Sequence, residues 1–138
     1  MKPRIAGFQL VSHTIKSLSF EIRGELRKVS LKPDLDLIPK YEIRRKDERL
    51  SGELCLDISY NLKSGKKIVI AFKAIITGLF SSTHNMDEEE FERFIKYSGT
   101  PMLIQMARGL LISISAEAGL TPPIIIPMIN STTCFEEK

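Results

Sequence analysis

The sequence predicts an α+β fold in which strands come first along the chain and helices follow them. Residues 53–62 alternate apolar and polar side chains, as a strand does when one of its faces lies in a core. A turn at residues 63–66, with Gly65 available for a positive φ, leads into a second strand over 68–80 and predicts a hairpin. From residue 100 onward the apolar side chains recur at helical spacing instead. Together these patterns predict strands that pack against helices.

The first strand is predicted over residues 5–23, and its apolar side chains change parity in the middle and change back. Its alternating apolar side chains are Phe8 and Leu10, and later Leu18, Phe20 and Ile22. Val11 and Ile15 lie between these halves and take the opposite parity. A bulge or bend around residues 12–14 reconciles the halves, unless this stretch is buried on both faces.

Residues 25–38 predict a crossing loop, with a possible edge strand, because prolines and aspartates interrupt their apolar side chains. Extended structure resumes over 41–46. The charged run at 44–49 predicts a solvated turn. A nucleic-acid patch there is the weaker interpretation, since no aromatic side chains interleave the charges.

Two helices are predicted after a loop at residues 81–86. The first begins near Asp87, carries apolar side chains at Phe91, Phe94 and Ile95, and stops before residue 100 at a Ser-Gly pair. The second has Thr100 as its N-cap and Pro101 at its first position. It ends near Gly119, which gives about 18 residues, or roughly 27 Å.

The long helix carries a second face that is not typical of a water-exposed helix. Its members are spaced three or four residues apart and include small side chains: Met102, Gln105, Gly109, Ile112 and Ala116. Small residues let another helix approach closely, so this seam predicts an interface with a second subunit. The alternative is a helix buried entirely inside its own domain. After the helix, residues 122–130 predict a buried extended segment.

Length and composition predict a single domain over residues 1–130 and a disordered polar tail over 131–138. The net charge of +3 is too small to indicate nucleic acid. Cys55 and Cys134 form no spaced metal motif, which favours a reduced cytoplasmic protein. Neither a signal peptide nor an uninterrupted apolar run long enough for a membrane span is evident. His13 and His84 lack neighbours at ligand spacing, so no metal site is indicated.

Phosphate loops, nucleophile elbows and zinc motifs are also missing from the sequence. The residues therefore predict a binding or assembly protein that uses no cofactor, rather than an enzyme.

Over nearly its whole length the chain resembles the SecB protein-export chaperones. The resemblance lies in FQLVSHTIKSLSFE at 8–21, and in the hairpin at 51–80 with its Gly-Leu-Phe ending. The helix motif of the family is matched by Pro101, Ala107, Arg108, Gly119, Pro122, Pro127 and Asn130. No single motif is diagnostic, but their order and spacing together are specific.

This resemblance implies a four-stranded antiparallel sheet with a short helix and a long helix on one face. It also implies a homo-oligomer, either a dimer or a dimer of dimers, joined through the long helix. SecB-like proteins are ATP-independent holdases that keep clients unfolded in apolar grooves. Exporting members pass preproteins to the SecA motor, whereas a relative devoted to one client can serve a toxin–antitoxin system. A different class, an oligomeric interaction or nucleic-acid-binding module, remains an alternative.

The resemblance also directs attention to two sets of residues. Apolar side chains in excess of what two helices can cover predict a client-binding groove at Leu54, Leu56, Phe72, Ile76, Leu79 and Phe80. Leu79, at the end of its strand, is expected to be the most accessible of them. The surface that meets SecA corresponds to Ser17, Glu21 and Lys73, where only Glu21 keeps an acid. A basic Lys73 would repel a basic partner.

Two further departures from the family are expected to matter. Gln105 and Met106 replace an aromatic residue and a proline before the Ala-Arg pair. The C-terminal helix that flanks the groove in exporting members is missing, because residues 131–138 are short and polar.

Overall fold

A computed structural model of the chain describes residues 1–4, 6–26, 30–82 and 86–135. Four long strands form one antiparallel sheet in the spatial order β1-β4-β3-β2. The strands are β1 (Phe8–Ile22), β2 (Lys32–Lys46), β3 (Arg49–Ser64) and β4 (Lys67–Ser82). Helices follow the strands and cover one face of the sheet, which confirms the predicted fold class.

The helical layer is a single rod rather than two separate helices. It consists of α1 (Glu88–Phe94), a π-helical turn (Ile95–Gly99) and α2 (Thr100–Glu117). The predicted stop before residue 100 is therefore wrong, and Thr100 is no N-cap: its backbone is helical, and its buried hydroxyl donates to the Ile95 carbonyl. Pro101 has no N–H and crowds the preceding turn. The wider π turn, in which the Thr100 N–H bonds the Ile95 carbonyl, keeps the rod continuous through this site.

Strand β1 contains two single-residue bulges, at Val11 and at Lys16, where its pairing with β4 shifts. The first bulge turns the odd-numbered residues that follow it toward the helix-bearing face, and the second turns the even-numbered residues back to that face. The side chains that consequently share the helix-bearing face are Phe8, Leu10, His13, Ile15, Leu18, Phe20 and Ile22. The bulge expected around residues 12–14 lies one residue earlier, and the second bulge was not predicted. Ile5, the predicted start of the strand, lies outside the described residues.

Strand β2 corrects the prediction of a loop over residues 25–38, because residues 32–38 belong to it. Pro33 and Pro39 misled the prediction, but an edge strand tolerates proline because one of its sides needs no ladder hydrogen bonds. The short strand considered over 26–31 falls partly on residues 27–29, which lie outside the described residues. The loop at 81–86 and His84 likewise include or fall on undescribed positions.

Both tight turns of the sheet are confirmed. Asp47, with a φ of 59°, lies in the charged turn between β2 and β3, and Gly65, with a φ of 63°, in the hairpin between β3 and β4. A further bulge near Val69 reverses the parity at the start of β4, so Ile68 lies on the face opposite Ile70.

The rod approaches the sheet most closely at Gly52 of β3. A Cβ atom at this position would lie 2.9 Å from Phe91 and would overlap Ile95. The core between rod and sheet is continuous, with Phe80, Phe91, Ile95 and Leu103 fully buried in it.

The rod ends in a Schellman arrangement at Gly119, whose φ is 93°. Residues 122–130 then run extended as expected, but mostly exposed: Ile126 is buried, whereas Ile125 is exposed. Residues 131–135 were expected to be disordered. They instead form a short 3-10 helix, Ser131–Phe135, which packs against β2 and the π-helical turn. The rest of the predicted tail, 136–138, lies outside the described residues.

Candidate functional site

The helix-bearing face of the sheet is only partly covered, and this determines which side chains a partner can reach. Helix α2 packs on the two central strands, β3 and β4. Residues 124–135 lie on the side of β2, as the contact between Tyr41 and Phe135 shows. Within the described part of the chain, α1 covers only the start of β1, where Phe91 and Phe94 contact Phe8, and leaves the later side chains Ile15, Leu18 and Ile22 exposed. The two flanks of the rod therefore differ in character.

The β1 flank exposes apolar side chains that would otherwise belong to the core. Ile15, Leu18 and Ile22 point to the helix-bearing side yet remain 41%, 41% and 43% exposed. On the side of α2 away from Arg108, half-buried apolar side chains border the same flank: Met106, Leu110 and Ile114. We call these six residues the β1 flank.

The edge of β1 is also open to pairing. Its 15 residues contain no proline, in contrast to the other edge strand, β2, which carries Pro33 and Pro39. Prolines, charges and bulges protect an edge strand from pairing with another chain. β1 has bulges at Val11 and Lys16 but no proline, so its regular stretch after Lys16, residues 17–22, is the part best suited to pairing.

The seam predicted on α2 faces away from the sheet. Met102, Gln105, Gly109 and Ala116 are exposed, and Ile112 is half-buried. The alternative of a helix enclosed by its own domain is therefore excluded within this subunit. A Cβ atom at Gly109 would meet nothing within 4 Å, so the subunit itself leaves space there.

We call the side of the rod toward β2 the β2 flank. There, two side chains of α2 fix the C-terminal segment. Arg108 donates from Nε to the Ile126 carbonyl (2.8 Å) and from Nη2 to the Pro127 carbonyl (2.9 Å). The buried Ser115 Oγ accepts the Ile124 N–H at 2.9 Å. This gives the arginine of the helix motif a structural role, which is to hold the chain that follows the helix.

An aromatic cluster lies at the end of this flank, where β2, the rod and the 3-10 helix meet. The rings of Tyr41 and Tyr97 contact Phe135 edge-to-face, with centroids 6.3 and 6.1 Å from the Phe135 centroid. Lys96 Nζ lies 5.8 Å from the Tyr41 centroid and 5.7 Å from that of Phe135. Glu92 completes the cluster. The sequence analysis missed this cluster, because its members come from three elements and share no local spacing.

Glu92 ties the polar edge of the cluster together. The Tyr41 hydroxyl donates to Glu92 Oε1 at 2.5 Å, and Lys96 Nζ lies 3.4 Å from the same oxygen. The hydrogen bond from Tyr41 holds the pKa of the Glu92 carboxyl below its ordinary value. Burial, followed by the bond to Glu92, raises the pKa of the Tyr41 hydroxyl. The pair therefore fixes the Tyr41 ring in place.

The predicted client-binding residues do not form an open groove in this subunit. Five of the six are buried in the core beneath the rod: Leu54, Leu56, Phe72, Ile76 and Phe80. Strand alternation identified their common face correctly but not the completeness of its cover, because the helices lie on β3 and β4. Leu79 is the accessible exception, as expected, at 39% exposure. It lies on the opposite face of the sheet in a small cleft with Glu42, Arg44 and Glu53.

The residues compared with the SecA-contacting surface lie together on the helix-free face. Ser17, Glu21 and Lys73 are all exposed there, on the adjacent strands β1 and β4. Glu21 forms an ion pair with Arg23 at 2.7 Å. The acid that this surface retains is therefore partly neutralised by its neighbour.

Neither a metal site nor a membrane-spanning helix is found among the described residues. Among these residues, no group of three or more His, Cys, Asp or Glu side chains is placed to hold a metal ion. Of the helices in the same part of the chain, none is both long and apolar enough to span a membrane.

Comparison with solved structures identifies the fold. The chain is similar to the Mycobacterium tuberculosis Rv1957 SecB-like chaperone, solved in complex with a ChAD peptide from the HigA1 antitoxin. The TM-score is 0.70 at 15% sequence identity, over 88% of this chain and 90% of that one. It is also similar to a Streptococcus agalactiae protein of unknown function, with a TM-score of 0.55 at 10% identity, over 88% and 97% of the two chains. No family model and no curated protein sequence matches the chain. The fold is SecB-like.

We predict that Tyr41→Phe raises the pKa of Glu92 toward its ordinary value, because the donor that stabilises the carboxylate is removed. A lowered pKa in the folded state stabilises the protein above the ordinary carboxyl pKa, and this stabilisation is lost as the pH falls through the lowered value. The variant should therefore lose about 1 kcal/mol of unfolding free energy at neutral pH, and less in acid. Urea unfolding at several pH values and an NMR titration of Glu92 measure both effects.

The matched control for this prediction is Tyr97→Phe, which removes a hydroxyl from the same cluster but leaves the bond to Glu92 intact. An unchanged Glu92 pKa in Tyr41→Phe would contradict the account of the cluster.

Proposed function

We propose that this protein, which has a SecB-like fold, is an ATP-independent chaperone that holds extended apolar segments of unfolded polypeptides. The observation that carries the proposal is the apolar surface left on both flanks of the rod. Large apolar side chains are exposed on the side of β1 (Ile15, Leu18 and Ile22) and on the side of β2 (Tyr97, Ile125 and Met128). Surfaces of this kind mark interaction sites in proteins that otherwise bury such residues. The proposal describes a binding protein, without cofactor, rather than an enzyme.

The β1 flank and the α2 seam suit a second copy of this chain. The β1 edge can pair antiparallel with itself across a twofold axis, which would bury Ile15, Leu18 and Ile22 of both copies. The outward seam of α2 supplies a second surface, which can pack against the same seam of another copy across a twofold axis. Two such surfaces on one subunit support a dimer, or a dimer of dimers, and several client sites on one oligomer would add avidity.

The β2 flank suits the client. Tyr97 is 45% exposed beside the aromatic cluster, and Ile125 lies on the exposed segment that follows α2. Leu79, on the other face of the sheet, is surrounded by charged side chains and offers a smaller apolar contact. We therefore assign the main client contact to the helix-bearing side and keep Leu79 as a secondary one.

An antitoxin segment is the client class we favour. The similar chaperone from M. tuberculosis is bound to an antitoxin peptide, and the structural similarity extends over 90% of that chaperone's chain. Export through SecA is less well supported, because Lys73 is basic and Glu21 is paired with Arg23. In either case we place the protein in the cytoplasm, and we propose that residues 1–130 act as one domain.

A nucleic-acid-binding module is the alternative from another class. Its best support is the charged run at 44–49 around the turn between β2 and β3, but Arg44 at the end of β2 pairs with Glu42. Retention on nucleic acid with a steep salt dependence would favour this alternative.

We predict that the wild-type protein suppresses aggregation of a slowly refolding client at stoichiometric ratio without nucleotide. Tyr97→Asp should weaken this activity several-fold, because it places a charge on the client side. Leu79→Asp is the comparison variant on the other face of the sheet, since both side chains are exposed to a similar extent. Light scattering of the client, with circular dichroism of each variant, measures the outcome.

Failure of the wild type with every unfolded substrate, including short apolar peptides and an antitoxin segment, would refute the chaperone proposal. A larger loss in Leu79→Asp than in Tyr97→Asp would leave the activity standing but move the client to the other face.

We also predict that Gly109→Leu lowers the mass of the oligomer. The subunit has room for the new side chain, whereas a partner helix packed on the seam does not. Sedimentation velocity at micromolar concentration measures the mass, and Gly109→Ala is the control that keeps the side chain small. A monomeric wild type, or an unchanged mass in Gly109→Leu, would contradict the assembly.

A further inference from the structure

The C-terminal 3-10 helix places Phe135 in a seat built from other parts of the chain. Tyr41 of β2 and Tyr97 of the π-helical turn present their rings at 66° and 81° to the Phe135 ring. The Lys96 ammonium lies over the Phe135 ring as well as over that of Tyr41. Edge-to-face rings and a cation all favour an aromatic occupant over an aliphatic one.

The segment that carries Phe135 is attached much more weakly than the segment before it. Residues 124–127 are fixed by hydrogen bonds that Arg108 donates to the carbonyls of Ile126 and Pro127 and by one that Ser115 Oγ accepts from the Ile124 N–H. In contrast, the hydrogen bonds of Thr132 and Thr133 end on Asn130, inside the same short segment. The ring of Phe135, the buried Ser131 and the half-buried Cys134 attach residues 131–135 to the body.

We propose that the Phe135 seat is a binding site for an aromatic side chain of a client, and that the C-terminal segment competes with the client for it. This inference rests on the chaperone function proposed above. A seat that already holds a phenylalanine ring has the size and chemistry for the same ring on another chain. The surface beside it also has room, because a cleft of about 420 Å³ lined by Glu89, Glu92, Arg93, Lys96 and Tyr97 borders the seat.

Tethering makes the competition selective. A ligand on a short flexible linker faces its site at a millimolar effective concentration. Isolated apolar side chains that bind only weakly do not displace Phe135. A client segment that places an aromatic ring in the seat and further apolar residues along the β2 flank can do so. The segment would thus keep weakly binding folded proteins out of the seat, whereas clients would displace it.

Phe135→Trp tests the displacement directly, because the sequence contains no other tryptophan. In the free protein, the emission of this residue should be blue-shifted by its contacts in the seat. A Trp-free apolar peptide with one phenylalanine should shift the emission to the red, as the ring moves into water. The matched peptide with leucine in place of phenylalanine should leave the emission unchanged. Anisotropy of dye-labelled peptides measures binding separately.

Phe135→Ala provides a second test that does not depend on how tryptophan fits the seat. Removing the competitor should tighten binding of the phenylalanine peptide about threefold to tenfold, the range expected for an aromatic pair. Tyr97→Ala should weaken it, since it removes part of the seat. Val11→Ala is the control, because Val11 is an exposed apolar residue on β1, away from the seat.

The outcomes separate this inference from the proposed function. Binding of the phenylalanine peptide with no change in tryptophan emission, and no gain in Phe135→Ala, would overturn the competition and leave the chaperone function intact. Binding of neither peptides nor unfolded clients would overturn both proposals.

Discussion

One helical rod has to cover one face of a four-stranded sheet, and the rest of the structure depends on this constraint. Four strands about 4.8 Å apart present a face roughly 15–20 Å wide, whereas a helix with its side chains is about 10–12 Å wide. The rod lies close on the central strands, where Gly52 leaves no room for a side chain. The C-terminal segment, fixed by Arg108, adds cover on the side of β2. The side of β1 stays open beyond its start, where Ile15, Leu18 and Ile22 are exposed.

We propose different uses for the two flanks, because their cover differs. The β1 flank combines a strand edge that carries no proline with exposed apolar side chains, and such a surface can pair with a like chain. On the side of β2, hydrogen bonds with Arg108 and Ser115 fix residues 124–127, whereas the ring of Phe135 is a main attachment of residues 131–135. In this proposal a client displaces only the last part of the cover and leaves the core undisturbed.

The sequence predicted best those features that depend on local pattern. Three such predictions correspond to observed structure: the alternation in β3, the turn at Gly65 and the apolar spacing of α2. Predictions failed where a remote contact decides the outcome. Edge position makes Pro33 acceptable in β2, and pairing with β4 makes the bulge at Lys16 necessary. Alternation placed the five core residues on one face without revealing their cover, and nothing local connects Tyr41, Tyr97 and Phe135.

Hydrogen exchange, followed by mass spectrometry with and without a permanently unfolded client, tests the central claim most directly. The account predicts that β1 is protected in the protein alone, through pairing with a second copy. It predicts that the client adds protection along the β2 flank, in residues 32–46 and 88–99, and leaves β1 unchanged. No added protection anywhere, or protection confined to β1, would contradict the claim that the flank beside the aromatic cluster holds the client.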